Sequence, residues 1–523
     1  MTQHCPVARR TRRLAIAVLG AIVPVISSAQ SNRVLGEQAS EIRPPWRSLT
    51  AGRYDVGFRF VPHSDASRRV GPPVDFEGRP AVGSLAMPTP FAVWYPARST
   101  PNATHMQYGT FAALGVKRTD MTPVTAVQRR AAIERMRAFA GFAFGREISE
   151  EAMRAVDTTS TAAISNATPA DGRFPVVLAA TDGSIAAATV LFEYLASHGI
   201  VVFAMPSAMS YATLQVGKPN AVVDARVRDL ELLLDESRHF TFVDTTRIAV
   251  LGVNFDGMAA LSFQMKNMAA RAVVSLDGWE GKQNGAATIA SGLHYDPRRM
   301  RVPYLVVLQD ENGTPPALRL DRTIFDAFRY ASRQWLVLPR MTHAYLIGNP
   351  LVYPGVPDDQ RASYERIVRG IHGFLDDALR PAPETPRAIV TDGAATDSNL
   401  VRTFVMVAAS SAVPDDAELE RLIMVERDID KVRDILSRSR RSDSTFPPFS
   451  EETISLYAFR FSRQGDIPFA TRLLELNAEA FPGSWRAAMA LGDRYRDSGD
   501  SARALGTYRR ALESVGRQRT TTP

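Results

Sequence analysis

Cysteine is almost missing from this sequence of 523 residues, because the only one is Cys5, near the N-terminus. A mature chain that begins after a leader would contain none. This excludes disulfides, a thiolate nucleophile and a cysteine-ligated metal site in such a chain. The eight histidines show no spacing typical of metal ligands. We therefore expect no metal and no cofactor.

A strong excess of one charge is also missing. The formal net charge is +7, but four arginines and no acids lie in the first 29 residues, at Arg9, Arg10, Arg12 and Arg13. The remainder carries a net charge of only +3, within a charged fraction of 22%. Such a nearly balanced chain gives no reason to expect a nucleic-acid partner.

Long apolar runs are missing as well. The run at residues 14–26 is too short to span a bilayer, which takes about 20 apolar residues. It follows a basic stretch and precedes Ser27-Ser28-Ala29, which is the pattern of a signal peptide and its cleavage site. We expect residues 1–29 to direct secretion or export to a bacterial periplasm, and the mature chain to lack a transmembrane segment. An uncleaved N-terminal anchor is the alternative.

After a leader at residues 30–50, apolar runs alternate with helical patterns over residues 51–380. Strands are predicted at 91–96, 174–180, 200–205, 247–252, 272–276, 302–308 and 335–338. Helices are predicted at 185–198, 223–236, 257–265 and 360–379. This alternation is typical of an α/β domain with a doubly wound, mostly parallel sheet. Ligands of such sheets bind beyond the carboxyl ends of the strands.

Residues 101–172 interrupt the alternation as an insertion. They contain a predicted helix at 124–142 and a polar stretch at 158–171, which we interpret as a linker. We expect the insertion to cover the site as a lid.

The C-terminal part of the chain is predicted to be helical. Residues 381–415 are rich in Pro, Ala, Ser and Asp, which indicates an interdomain linker before a helical domain at 416–517. Gly465-Asp466 recurs as Gly499-Asp500, 34 residues later. This all-α domain resembles two tetratricopeptide repeats over residues 450–516. The resemblance implies a possible protein partner, and helix packing without a partner is the alternative.

The segment that decides the function class lies at residues 248–261. A predicted strand enters a tight turn, Gly252-Val-Asn254-Phe-Asp256-Gly257, and a helix follows, which is the setting of a G-x-S-x-G nucleophile elbow. Asn254 stands at the position of the nucleophile. A carboxamide is not a useful nucleophile, because its nitrogen lone pair is delocalised. Asp256 adds a charged side chain where the turn favours glycine.

An acid and a histidine follow the elbow in the order of an α/β-hydrolase triad. Asp277 comes directly after the strand at 272–276 and stands two residues before Trp279. His343 follows the last predicted strand. In a working triad the acid orients the imidazole, which deprotonates the serine. A turn-capping role for Asp277 and a structural role for His343 are the alternatives.

These features and several scaffold segments carry a resemblance to a known family. The segments are Tyr54-Asp-Val-Gly-Phe, Trp94-Tyr-Pro-Ala, Phe174-Pro-Val-Val-Leu, Glu193-Tyr-Leu-Ala-Ser-His-Gly and Leu276-Asp-Gly-Trp. Over residues 50–380 the chain resembles the platelet-activating-factor acetylhydrolase and dienelactone-hydrolase-like branch of the α/β-hydrolases. The resemblance implies an α/β-hydrolase fold and a catalytic group of Asn254 (nucleophile position), Asp277 (acid) and His343 (base). The backbone N–H groups of Phe255 and Gly183 would be the oxyanion donors.

Three hypotheses follow for the function. Because Asn254, Asp256 and Thr181-Asp182 all depart from the family pattern at the expected site, the first is an inactive or altered hydrolase that binds a lipid- or ester-like small molecule. The second is an active esterase with a non-standard nucleophile, either Ser184 or an aspartate formed by deamidation of Asn254. The third is a scaffold that acts through its helical tail.

Overall fold

The computed structural model describes residue 46 and residues 48–70, 85–99, 103–114, 124–144, 147–181, 184–206, 219–309, 319–338, 341–347, 349–389, 403–409, 416–442 and 449–520. The predicted signal peptide at 1–29 lies outside the described residues. Within them, two compact units form. The first holds the sheets. The second holds the C-terminal helices together with Pro297–Arg301 and Phe328–Ser332.

The described strands are β1 (Asp55–Val61), β2 (Ser64–Val70), β3 (Leu85–Pro88), β4 (Phe91–Ala97), β5 (His105–Gln107), β6 (Ser160–Ser165), β7 (Phe174–Thr181), β8 (Val201–Pro206), β9 (Val243–Val253), β10 (Ala272–Leu276), β11 (Tyr304–Gln309), β12 (Arg333–Leu338) and β13 (Thr403–Val407).

The described α-helices are α1 (Tyr108–Leu114), α2 (Ala126–Phe144), α3 (Glu150–Thr158), α4 (Thr189–Ser197), α5 (Pro219–Ser237), α6 (Asp256–Asn267), α7 (Gln283–Ala290), α8 (Thr323–Ala327), α9 (His343–Ile347), α10 (Asp358–Ala378), α11 (Asp416–Arg421), α12 (Ile429–Ser442), α13 (Glu451–Arg463), α14 (Ile467–Ala480), α15 (Trp485–Asp497) and α16 (Ser501–Thr520). A π-helical turn, Leu422–Glu426, follows α11. None of the helices in the described part of the chain combines the length and the apolar composition needed to span a bilayer.

Eleven strands form one mixed sheet in the order β13-β12-β11-β10-β9-β7-β8-β4-β1-β6-β5. The run from β8 through β7, β9, β10 and β11 to β12 is parallel, and β4 is antiparallel to both β1 and β8. The crossover that places β8 between β4 and β7, and the strand–turn–helix at β9–α6, are the architecture of the α/β-hydrolase fold. This confirms the α/β fold class expected from the sequence.

The central strands form because their sequences are apolar on both faces. Every residue of β8, β10, β11 and β12 is buried, as expected for parallel strands with helices on both sides. Because all these strands run in one direction, their carboxyl ends lie at one edge of the sheet. The functional residues predicted after β9, β10 and β12 are therefore brought to the same edge.

The insertion is more regular than its polar composition indicated. The interpretation of residues 158–171 as a linker was wrong for β6, which pairs in parallel with β1 and antiparallel with β5. Thr161, Ala163 and Ile164 are buried, and because successive side chains of a strand point to opposite faces, Ala163 and Ile164 are covered on the two different faces of the sheet. The insertion helix α2 contacts α9, the short helix that begins with His343. The insertion therefore reaches the neighbourhood of a predicted site residue.

The last part of the predicted leader is also more ordered than expected. Trp46 donates a hydrogen bond from Nε1 to Glu193 Oε2 at 3.2 Å, and Leu49 is buried. The backbone N–H of Ala162 donates to the same carboxylate oxygen at 3.0 Å. Glu193 is fully buried on α4, and this burial, opposed by those hydrogen bonds, raises its pKa to about 7. A buried acid therefore holds Trp46 in place.

Replacing Glu193 with glutamine is expected to flatten the pH dependence of stability. In the folded chain the pKa of Glu193 is about 7, against an ordinary value of 4.5. The contribution of the Glu193 proton to the free energy of unfolding is therefore complete below pH 4.5 and is lost as the pH rises to 7. Urea unfolding should show that the free energy of unfolding differs between pH 5 and pH 8 by roughly 2–3 kcal/mol less in Glu193→Gln than in the unaltered chain. Glu231→Gln, which removes a partly exposed carboxylate from α5, is the control, and an unchanged pH dependence in Glu193→Gln would contradict the prediction.

In its described residues, the linker predicted at 381–415 contains the strand β13, at the end of the large sheet beside β12. This short strand is only partly buried. Edge strands of this kind carry a weak sequence signal, because their apolar periodicity is incomplete and they have one neighbour instead of two.

In the second unit, α13 and α15 begin 34 residues apart, and so do α14 and α16. The repeated Gly-Asp pair has a physical reason. Gly465 and Gly499 have left-handed φ values of 86° and 81° at the ends of α13 and α15. The carboxylates of Asp466 and Asp500 accept hydrogen bonds from the first turns of α14 and α16. The tetratricopeptide-like character of this unit stays a prediction.

Candidate active site

The elbow is a strained turn between β9 and α6. Asn254 has a φ of 56°, in the left-handed region that asparagine tolerates better than most residues. Its N–H donates to the carbonyl of Leu276 at 2.8 Å, and the N–H of Gly257 donates to its carbonyl at 3.1 Å. The turn therefore has the strand–turn–helix geometry of a nucleophile elbow, with asparagine at its tip.

Two glycines permit this turn by their small size. A Cβ atom on Gly252 would overlap the backbone of Asp256, one turn further along. A Cβ atom on Gly257 would overlap the carboxylate of Glu280 and would lie 2.5 Å from Ser275 Oγ. Both positions therefore require glycine because of close approach between chain segments.

Replacing Gly257 with alanine is expected to destabilise the chain by about 1–3 kcal/mol, because the added methyl group overpacks the space below the elbow. Urea unfolding would measure the loss. Gly373→Ala on α10 is the matched control, since nothing lies within 4 Å of its added Cβ. Equal stability of the two variants would show that the Glu280 side chain moves aside for the added methyl group without a loss of stability.

The side chain of Asn254 is held by Trp279. The indole Nε1 donates to Asn254 Oδ1 at 2.8 Å, and the Trp279 backbone N–H donates to the Asn254 carbonyl at 3.3 Å. An indole nitrogen can only donate, so the carboxamide oxygen, and not its nitrogen, faces the indole. The indole of Trp279 therefore fixes the orientation of the Asn254 carboxamide. A serine hydroxyl at this position would not need such a partner.

The structure brings Asp277 and His343 together. Asp277 follows β10 with a φ of 51° and is fully buried. His343 is the first residue of α9, and its side chain is 36% exposed. His343 Nδ1 and Asp277 Oδ2 form a hydrogen bond, in which an ionised carboxylate can only accept. This is the arrangement of the acid and the base in a hydrolase triad.

Sequence reasoning missed Lys282, which is buried beside Asp277. Its Nζ lies 3.1 Å from Asp277 Oδ1, on the other side of the carboxylate from His343. Burial alone would raise the pKa of Asp277, but the charge of Lys282 and the hydrogen bond from His343 outweigh it, and the pKa is held well below its usual range. A lysine five residues after the acid was the only sequence signal.

The short segment from Asp277 to Lys282 therefore organises most of the site. Trp279 holds Asn254, and Lys282 pairs with Asp277. Between them Glu280 is buried below the elbow, where Tyr304 donates a hydrogen bond to it at 2.9 Å. Burial raises the pKa of the Glu280 carboxyl, which lies next to Gly257.

Asp256 does not strain the turn in the way the sequence suggested. It is the first residue of α6 and is buried, with its Oδ1 3.3 Å from Arg226 Nε on α5. Arg226 also pairs with Asp229 at 3.3 Å, and Asp229 pairs with Arg68 at 2.6 Å. A negative charge in the first turn of a helix is favourable, and here it belongs to a buried ion-pair network.

The remaining predicted residues are placed only in part. Phe255 is buried at the N-cap of α6, directly after Asn254, as an oxyanion donor requires. Gly183 lies outside the described residues, so the second donor is not placed. Ser184 caps a 3₁₀ turn, where its Oγ accepts from the N–H of Ala186 at 3.2 Å. Within the described ranges, His, Cys, Asp and Glu side chains form no group of three that could hold a metal.

Comparisons with known proteins give structural likenesses but no match to a family model or to a curated protein. Among solved structures, the chain is similar to a ferulic acid esterase from Streptomyces cinnamoneus, with a TM-score of 0.45 and 18% sequence identity. The match covers 69% of this chain and 98% of that esterase. The fold assignment rests on the strand order and on the sequence of elbow, acid and histidine.

Proposed function

We propose that this chain is an α/β-hydrolase-fold protein that binds a lipid- or ester-like small molecule without the acyl-enzyme chemistry of a serine hydrolase. The observation that carries this is Asn254 at the tip of the elbow, with its carboxamide oxygen bonded to Trp279 at 2.8 Å. A histidine base cannot turn a carboxamide into a nucleophile. The Asp277–His343 pair, which follows strand ends at the same edge of the sheet, therefore lacks a nucleophile at the elbow that it could activate.

The same residues support binding. Asn254, Asp277 and His343 all follow carboxyl ends of parallel strands, where ligands of this fold bind. The carboxamide nitrogen of Asn254 carries two hydrogens, so it can donate to a protein neighbour and to a ligand carbonyl at once. The partly exposed imidazole of His343 adds a second polar group. A carbonyl-bearing ligand matches these groups.

Two measurements test the proposal. The purified chain should neither hydrolyse p-nitrophenyl acetate or butyrate nor be labelled by a fluorophosphonate. Calorimetry with p-nitrophenyl butyrate should show binding that is lost in Asn254→Leu, a substitution that removes the donors, and kept in the surface control Asn267→Leu. Labelling of any serine would contradict the loss of serine-hydrolase chemistry, and equal binding by both variants would contradict a role for Asn254.

A hydrolase that does not use a residue at the elbow is the second candidate. The hydrogen bond between Asp277 and His343 favours it, because such a pair can act as a general base towards a water molecule. Turnover that resists fluorophosphonate and is lost in His343→Gln would support this candidate. Labelling at Ser184, or an aspartate at position 254 found by mass spectrometry, would instead support the other non-standard nucleophiles.

The helical unit is proposed to bind a protein partner. Its first helix of each pair carries exposed apolar side chains, namely Leu456, Phe459, Trp485 and Met489.

Export is also a proposal, and it rests on the pattern at residues 1–29. N-terminal sequencing of the chain recovered outside the cytoplasm should begin at Gln30. A chain that keeps Met1 would contradict cleavage.

A further inference from the structure

The pairing of Lys282 with Asp277 is unusual for an acid whose task is to orient a histidine. The Lys282 side chain is 7% exposed and that of Asp277 is fully buried, and their charged atoms lie 3.1 Å apart. Two charges at this depth are kept only when they compensate each other. Asp277 therefore has three side-chain partners, because His343 bonds to Oδ2, Gln309 Nε2 donates to Oδ2 at 3.4 Å, and Lys282 lies beside Oδ1.

These contacts decide where the histidine proton lies. An ionised Asp277 can only accept, so His343 must donate from Nδ1, and in the neutral imidazole Nε2 is then a hydrogen-bond acceptor. A protonated Asp277 would reverse the bond. Its O–H would donate to Nδ1, and the imidazole hydrogen would be on Nε2. The protonation of one buried carboxyl thus selects the tautomer.

We propose that Lys282 is a positioning residue that keeps Asp277 a carboxylate and thereby fixes the tautomer of His343 in which Nε2 is the acceptor. Lys282 lies directly before α7, and its backbone N–H donates to the backbone carbonyl of Trp279 at 2.9 Å. The same segment therefore sets both polar groups at the site, the Asn254 carboxamide through Trp279 and the His343 imidazole through Lys282. The inference holds whether or not the domain hydrolyses its ligand.

Loss of the lysine charge should add a proton to the pair. An uncompensated buried carboxylate is costly, so in Lys282→Met either Asp277 is protonated or His343 becomes a doubly protonated cation beside it. In both cases Nε2 carries a hydrogen. Lys282→Arg keeps the charge and should keep the tautomer.

The test is a nitrogen-15 spectrum of the full chain with labelled histidine at pH 8, in which the His343 signals are identified by their loss in His343→Gln. The unaltered chain should show Nδ1 protonated and Nε2 unprotonated. Lys282→Met should move Nε2 to the protonated chemical-shift range. Lys282→Arg should not, and neither should Lys266→Met, which removes a lysine from an exposed ion pair with Glu231.

Two results would overturn the proposal. One is an Nε2 that is already protonated at pH 8 in the unaltered chain, and this measurement does not depend on the folding of any variant. The other is an unchanged Nε2 in a folded Lys282→Met, which is the outcome of a purely structural lysine. If Lys282→Met does not fold, Lys282→Gln retains a donor for Asp277 without the charge, and the same change at Nε2 is expected.

Discussion

Replacing Asn254 with serine is expected to create ester hydrolysis above the level of the unaltered chain. Serine at the tip of the elbow would supply the hydroxyl that the His343 base can deprotonate, and Asp277 already accepts the Nδ1 hydrogen of that histidine. We expect kcat/KM for p-nitrophenyl acetate to rise about 10²-fold or more above the unaltered chain. Fluorophosphonate should then label position 254.

The control for this gain is the double variant Asn254→Ser with His343→Gln, which should lose it. Trp279→Phe in the serine background removes the indole donor and leaves the new hydroxyl to His343, so it should not lower the rate. A folded Asn254→Ser chain without turnover or labelling would show that the loss extends beyond the nucleophile. Thr181-Asp182, at the first oxyanion position, would be the next segment to restore.

Replacing Arg226 with methionine is expected to destabilise the first unit by about 3–5 kcal/mol. Arg226 is buried between Asp256, 3.3 Å away, and Asp229, also 3.3 Å away. Its removal takes this cation away from the buried carboxylate of Asp256, while Asp229 keeps its ion pair with Arg68, and a buried charge that loses its cation costs more than a lost contact. Urea unfolding measures the loss.

Arg228→Met is the matched control for this prediction, because Arg228 lies on the exposed side of the same helix and should change stability by less than about 0.5 kcal/mol. Adding Asp256→Asn to Arg226→Met should recover part of the loss, since it removes the charge left behind. A cost no greater than that of Arg228→Met would show that the network contributes little.

The network also bears on how the elbow should be restored. Asp256→Gly would reproduce the residue usual at this position, but it would take away one of the two carboxylates paired with Arg226. A serine at position 254 is therefore the better first change, because it leaves the buried charges intact. The departure at Asp256 is part of the packing between α5 and α6 as much as a change in the site.

Much of this arrangement could be predicted from the sequence. Parallel strands buried on both faces have continuous apolar sequences, so β7 to β12 were predicted close to their observed limits, except that β9 begins at Val243 and not at residue 247. The elbow, Asp277 and His343 were predicted because each follows a strand, and strands that run in one direction bring such residues to one edge. The 34-residue repeat was visible because capping residues recur with the helices that they end and begin.

Other features depended on contacts between residues that the sequence does not relate. A polar stretch became β6 because β1 offered it a free edge, and Trp46 docks because Glu193 is buried beside it. The partnership of Arg226 with Asp256 joins two helices, and nothing in either helix alone indicates it.

The sequence by itself therefore determined the class of fold and the asparagine at the tip of the elbow, because apolar periodicity and residue identity are local properties. Only the tertiary structure decided what surrounds Asn254: an indole that fixes its oxygen and a buried lysine that compensates the acid. The physical reason is that the energy of a buried charge or of a polar group depends on the atoms packed around it, and the folded chain brings those atoms together.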